Sequence, residues 1–265
     1  MQIRARSPGG AVLSAPASVV LAGADPHWPA GEVFNPAGAA PLVLVCEHAS
    51  NRIPPGYADL GCSPRELARH IAVDIGAAEL TRGLALHLDA PAVLCTTSRL
   101  FVDCNRAPFE ADWIAPVSDG TAIPGNAGLS ADGRHARAAL VFEPFHALVG
   151  ETVAAKRRAG IAPLLVAVHS YAASLDGVAR PPVAVIWDRP EPAAQVVAAL
   201  RREVAPVGDN APYDGRRLHG YTVERHARPF GLRRLAIEVR QDLLGEDGGV
   251  AAWTRIVGDA IGCAL

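Results

Sequence analysis

Three observations predict an α/β sheet domain for this chain. Short β-branched runs alternate with longer helical patterns along its length, the order that builds a sheet flanked by helices. Half of its 265 residues are hydrophobic, enough for one large core. No internal repeat or second compositional regime interrupts the pattern, so a single domain over residues 31–265 is the simplest organisation.

Taken in order, Pro41–Cys46 (PLVLVC) reads as a buried strand. Ser63 is placed to cap a helix with Pro64 at its first position, and apolar residues near helical spacing carry that helix to about Leu84. Ala92–Thr96 reads as a second strand and Leu100–Asp103 as a third, short one. From Ala107 to Arg134 Gly, Pro and Asp break every period, which predicts a long loop of the kind that frames an active site. A helix over Ala136–Ala159 follows, then strands at Leu164–Val168 and Pro182–Trp187. Glu191–Val204 reads as a helix, Leu235–Val239 as a strand and Gly249–Ile261 as the closing helix.

Composition excludes several functions. A net charge of −2 argues against a general polyanion binder, so nucleic acid is not expected as a partner. No uninterrupted apolar run approaches the roughly 20 residues of a membrane span. The five cysteines contain no CxxC pair, which fits a reducing compartment without a disulfide framework. Met1–Arg6 is basic and Ala11–Ala24 small and apolar, but Pro8, Gly9, Gly10 and Pro16 break the run. A loosely ordered N-terminal extension over residues 1–30 is therefore expected rather than a signal peptide, with a cytoplasmic location.

Polar residues capable of chemistry recur at strand ends. Glu47-His48-Ala49-Ser50-Asn51 follows the first strand, His169-Ser170-Tyr171 follows Leu164–Val168, and Glu238 closes an apolar strand. Carboxyl ends of strands form the ligand crevice of open α/β sheets, so these groups can converge although far apart in sequence. Two histidines plus one carboxylate make a catalytic zinc site with an open position for water. Glu238 is the natural base, since desolvation would raise its pKa. The alternative is that His48 and His169 are hydrogen-bonded to loops. Arg99, Asn105 and Arg106 in SRLFVDCNR suggest recognition of a small anion, with ion pairing inside the loop as the alternative.

VCEHASNRIP (45–54), ARHIAVDIGA (68–77), TSRLFVDCNRAP (97–108), FEPFHALV (142–149) and VHSYAAS (168–174) resemble the N-formylglutamate amidohydrolase family. So do VIWDRP (185–190), HGYTVERHARPFG (219–231) and LAIEVRQDLL (235–244), in family order. The wider likeness is to zinc carboxypeptidases and aspartoacylases. It implies a three-layer αβα sandwich about a mixed, mostly parallel sheet, with Zn2+ as cofactor. His48 and His169 match the zinc histidines of that group, Glu238 its catalytic glutamate, and Arg99, Asn105 and Arg106 its substrate-holding elements.

One departure matters. Those relatives use His-x-x-Glu for two ligands, where this chain has His48-Ala49-Ser50-Asn51. The resemblance supplies Asp74 as preferred third ligand, with Glu47 or Asn51 as rivals and His70 as a neighbour of Asp74. His146 and His226 belong to matching blocks without an assigned role. The implied reaction is hydrolysis of a small anionic N-acyl amino acid such as N-formyl-L-glutamate, as in amino-acid catabolism. VCEHASN differs from the histidine-degradation type, so a divergent substrate is open. The alternatives are a metal-free small-anion-binding protein and a carboxypeptidase-like peptidase. A homo-oligomer is compatible with all three.

Overall fold

The computed structural model describes residues 27–108, 110–175, 177–216, 220–245 and 247–265. The expected N-terminal extension lies outside the described residues up to residue 26. Just beyond it the Trp28 indole donates to Thr97 Oγ1 at 2.7 Å and stacks under Arg52.

The apolar runs pair into one sheet of seven strands: β1 (Gly31–Phe34), β2 (Leu42–Cys46), β3 (Ala92–Cys95), β4 (Leu164–Tyr171), β5 (Val183–Ile186), β6 (Val207–Asp209) and β7 (Arg234–Arg240). Their spatial order is β1-β3-β2-β4-β7-β5-β6. Strands β3, β2, β4 and β7 run parallel, β1 and β5 run against their neighbours β3 and β7, and β6 follows β5. The helices are α1 (Pro64–Leu67), α2 (Ala77–His87), α3 (Ala131–Arg137), α4 (Glu143–Arg158), α5 (Pro190–Leu200), α6 (Tyr221–Ala227), α7 (Gln241–Leu244) and α8 (Gly249–Gly262).

Alternation along the strands sorts side chains between two faces. Leu42, Leu44, Val166, Ile237 and Val239 pack with α2, α5 and α8. Val43, Val45, Val93, Leu165 and Ala167 pack on the other face with α4 and α6. The result is a mixed sheet between two helical layers. His169 shares the parity of Leu165 and Ala167, and Glu238 that of Ala236, so both project from the α4 face. The stretch Ala131–Arg158 is long and apolar enough by composition to cross a membrane. Its Phe142, Phe145, Val149 and Val153 are instead buried in the core on that face.

The structure corrects four expectations. The helix expected over 64–84 is two helices. Ser63 caps α1 in a reciprocal capping box with Glu66, but the chain leaves the helix after Leu67 and resumes at Ala77. Tertiary hydrogen bonds capture the intervening backbone: Asp74 N donates to His48 O at 3.0 Å, Ser98 Oγ to Ala72 O at 2.9 Å, and Ser170 Oγ to Ile75 O at 2.8 Å. The expected strand Leu100–Asp103 is a buried turn. Its carbonyls are claimed by side chains, Leu100 O by Asn126 and Phe101 O by Arg137, which leaves no sheet edge to join. The long loop ends early, because Ser130 caps a helix five residues before the expected start. That helix then runs through a π-helical segment, Ala138–Phe142, into α4. Strand β4 continues three residues past Val168, which places His169 inside the ladder.

Gly76 closes the interruption with φ of +78°, and a Cβ there would lie 2.5 Å from Leu244 Cβ. Gly76→Ala is expected to cost roughly 2 kcal/mol through left-handed strain and overpacking. Chemical denaturation checks this; a loss below about 0.5 kcal/mol would show that α7 yields freely.

Candidate active site

Three strand ends meet at one cavity of about 270 Å³ on the α4 side of the sheet. Strand β2 delivers Glu47 and His48 just beyond Cys46, and β4 delivers His169. The parallel register sets Glu238 of β7 directly beside His169, on the same face. The interruption between α1 and α2 delivers Asp74, because its amide is tied to the carbonyl of His48. Breaking the expected helix is thus what brings Asp74 to the strand ends.

His48 Nδ1 lies 3.3 Å and His169 Nδ1 2.8 Å from the same oxygen, Asp74 Oδ2. The two rings are 5.1 Å apart, and one donor atom from each of the three residues falls within 4.8 Å of the others. Ligands about 2 Å from a tetrahedral zinc stand roughly 3.3 Å apart, so this donor set fits such an ion. The far nitrogens meet carboxylates of their own. His48 Nε2 is 2.8 Å from Asp103 Oδ1, and His169 Nε2 is 3.4 Å from Glu47 Oε2. Carboxylates in those places orient metal-binding histidines and fix which nitrogen faces the ion.

Charge supports the same fit. Asp74, Asp103, Glu47 and Glu238 crowd the two imidazoles, and Arg99 is the closest permanent cation, 2.9 Å from Asp103 and 3.5 Å from Asp74. Both oxygens of Glu47 and Oδ1 of Asp74 are buried without a hydrogen-bond partner. A buried surplus of carboxylates calls for a cation. Burial opposes ionisation of Asp74, yet the two histidines hold it well below the usual carboxylate range. Burial alone would lower the pKa of His169, but the Asp74 hydrogen bond and the charges of Glu47 and Glu238 push it up to about 10. His48 is also raised, with burial and Arg99 outweighed by Asp103 and Asp74. Burial pushes Glu238 up to about 7, against the opposing pull of His169.

Arg99, Asn105 and Arg106 all line this cavity. The Arg99 fork binds Asp103 through Nε and Nη2. Arg106 is half-exposed and 3.2 Å from Asp112. Asn105 accepts from Thr222 N at 3.3 Å and approaches His169 Nε2 at 3.5 Å. His70 stands at the cavity wall with Nδ1 3.6 Å from Asp74 Oδ1. Asn51 turns away and donates to Leu67 O. Glu47 meets His169 at the nitrogen opposite the one that faces Asp74, so the position between the two Nδ1 atoms belongs to Asp74.

His146 and His226 form a buried pair beneath the cavity wall. His146 Nδ1 and His226 Nε2 are 3.0 Å apart, and His146 Nε2 donates to Cys104 O at 3.1 Å. Burial pushes His146 down to about 2 and His226 down to about 4, so both are neutral. Thr222 Oγ1 donates to the same Cys104 carbonyl. The pair therefore anchors the backbone that carries Asn105. Sequence reasoning passed over Tyr213, which reaches the cavity from a loop with no periodicity, and gave Tyr171 no role. Asp103 was visible only as an acid between two arginines.

The fold and donor set define an αβα protein built around a buried His/Asp/His centre at the carboxyl ends of parallel strands. Residues 40–244 match the family model of N-formylglutamate amidohydrolase, and the chain belongs to that family. Among solved structures it is similar to the Agrobacterium tumefaciens gene product Atu2144, at 34% identity and a TM-score of 0.85, over 89% of this chain and 94% of that one. It also shares its fold with the N-formylglutamate amidohydrolase of Ralstonia eutropha JMP134, at 22% identity and a TM-score of 0.60, over 87% of this chain and 94% of that one. No curated protein sequence matches it.

Proposed function

We propose that this chain is a zinc-dependent amidohydrolase of the cytoplasm that cleaves a small N-acyl amino acid, N-formyl-L-glutamate or a close analogue, to a carboxylate and the free amino acid. The observation that carries the reading is Glu238 standing in register beside His169, at the rim of a His48–Asp74–His169 donor set. A zinc ion held by those three residues would polarise the amide carbonyl and acidify a water. Glu238, poised near neutrality, would accept a proton from the attacking water and pass it to the leaving nitrogen. Arg99, locked against Asp103, faces the cavity with its fork already oriented and stabilises the charge that develops on the carbonyl oxygen. Arg106 and Asn105 hold a substrate carboxylate, which fixes the scissile bond relative to Glu238.

The reading is tested by metal analysis of protein purified without chelator, together with formate release from N-formyl-L-glutamate. Near-stoichiometric zinc and formate release are expected. Absence of both would favour the metal-free anion binder. Arg106→Ala is expected to raise KM for N-formyl-L-glutamate about 10-fold or more with zinc content unchanged. Loss of metal in that variant would make Arg106 structural.

A further inference from the structure

Asn105 reaches the cavity from the turn after Asp103, and what holds it belongs neither to the strand ends nor to the metal donor set. Its Oδ1 accepts from the backbone N of Thr222, the second residue of α6, at 3.3 Å. Gly220 permits that approach, since a Cβ there would lie 3.4 Å from the same oxygen. With the oxygen engaged, the amino group is what Asn105 offers the cavity. The residue before it is gripped from the same side. Cys104 O accepts from Thr222 Oγ1 at 3.0 Å and from His146 Nε2 at 3.1 Å. Cys104, Thr222 and His146 are all buried.

A carbonyl oxygen can only accept, so His146 carries its proton on Nε2. Burial keeps both imidazoles neutral, which leaves His146 Nδ1 bare. The nitrogen 3.0 Å from it, His226 Nε2, is therefore the donor. The chain runs one way, from His226 to His146 to Cys104 O, and each bond polarises the next. The His146 ring is held against turning over: Phe142 meets it edge-on at 4.3 Å and Tyr221 at 5.4 Å, and it lies within 24° of the plane of His226. Thr222 and His226 are four residues apart on α6 and so share one face. Helix α6 thus holds the turn at two points, while His146 arrives from α4. We infer that His146 and His226 are positioning residues, whose one-way hydrogen-bond chain joins Thr222 in fixing the Cys104–Asn105 peptide so that the Asn105 amino group faces the substrate. Neither histidine touches the metal donor set or lines the cavity. The inference rests on the amidohydrolase reading for what Asn105 grips, and on geometry alone for how Asn105 is held.

Two readouts separate this role from plain packing. In nitrogen-labelled full-length protein at pH 7, both rings should give slowly exchanging Nε2–H resonances; a proton on His146 Nδ1 would overturn the chain. The second readout is a double-mutant cycle. His146→Phe removes the donor and keeps an aromatic ring among aromatic neighbours. Its kcat/KM for N-formyl-L-glutamate is expected to fall about 10-fold, mainly through KM and with zinc content unchanged, the usual range for one hydrogen bond. His146→Gln, which can still donate to Cys104 O, should recover part of the loss. Asn105→Ala should fall at least as far, and adding His146→Phe to it should cost nothing more, because residues that act through one another are not additive. Losses that multiply in the double variant would make His146 a packing residue and overturn the assignment. Should His146→Phe not fold, His226→Phe enters the same cycle in its place. Protein that releases no formate would remove the amidohydrolase reading and leave the positioning role to the Asn105 side-chain amide resonances. These should move in His146→Phe, and resonances that stay in place would overturn the role.

Discussion

Glu238→Gln is expected to fold normally, keep its metal and lose about 10²-fold or more in kcat. Glutamine keeps the volume and the hydrogen-bonding reach of the side chain and removes only its basicity. The position can tolerate the change, because the Glu238 carboxylate forms no hydrogen bond or ion pair among the described residues. Its carboxyl is raised to about 7, chiefly by burial and against the pull of His169, which suits a base working near neutral pH. The sign of the pH dependence follows. The base works only when ionised, so kcat/KM is present above its pKa and falls as pH drops through it. A cation held in the adjacent centre would stabilise the carboxylate, so the acid limb is expected at or below pH 7. The Gln variant should lack that limb. Unchanged kcat in a metal-loaded Gln variant would remove Glu238 from the base role.

How much of this site was legible in the sequence depended on the kind of element that carries each residue. His48, His169 and Glu238 sit at or near the ends of continuous apolar runs, where period-2 patterning and strand-end logic apply directly. The run LLVAV marked β4 but stopped short, since His169, Ser170 and Tyr171 stay in the ladder by pairing with Glu238, Val239 and Arg240 of β7. A local pattern carries no information about that partner. Asp74 came from family resemblance alone. Its own segment reads as helix, and only the hydrogen bonds to the His48 carbonyl and from Ser98 and Ser170 overrule that propensity. Strands β1 and β6 were invisible because GEVF and VGD are short and only partly apolar. They are strands because an existing sheet edge accepts them. Arg180 and Tyr213 are 33 residues apart on loops, and nothing in either segment announces their contact.

Asp74→Ala is expected to lower zinc affinity by more than about 100-fold and to take activity with it, since even outer-shell partners of a metal site are worth about 10–100-fold. The same variant should change the proton balance of metal binding. In protein stripped of metal, each imidazole faces carboxylates through both nitrogens: His169 lies between Asp74 and Glu47, and His48 between Asp74 and Asp103. That arrangement favours doubly protonated rings, and it is why His169 is raised to about 10, with burial overcome by Asp74, Glu47 and Glu238. A metal ion held between the two rings would take nitrogens that face Asp74, so at pH 7 its binding would displace the His169 proton. Zinc titrations in buffers of different ionisation enthalpy should therefore release at least about one proton per ion, and affinity should climb as pH rises toward 10. Removing Asp74 lowers both histidine pKa values, because its hydrogen bond and negative charge favour protonated His169 and its charge favours protonated His48. The variant should bind weakly and release fewer protons. Wild-type protein that binds zinc at pH 7 without releasing protons would show that His48 and His169 do not ligate the ion through the nitrogens that face Asp74.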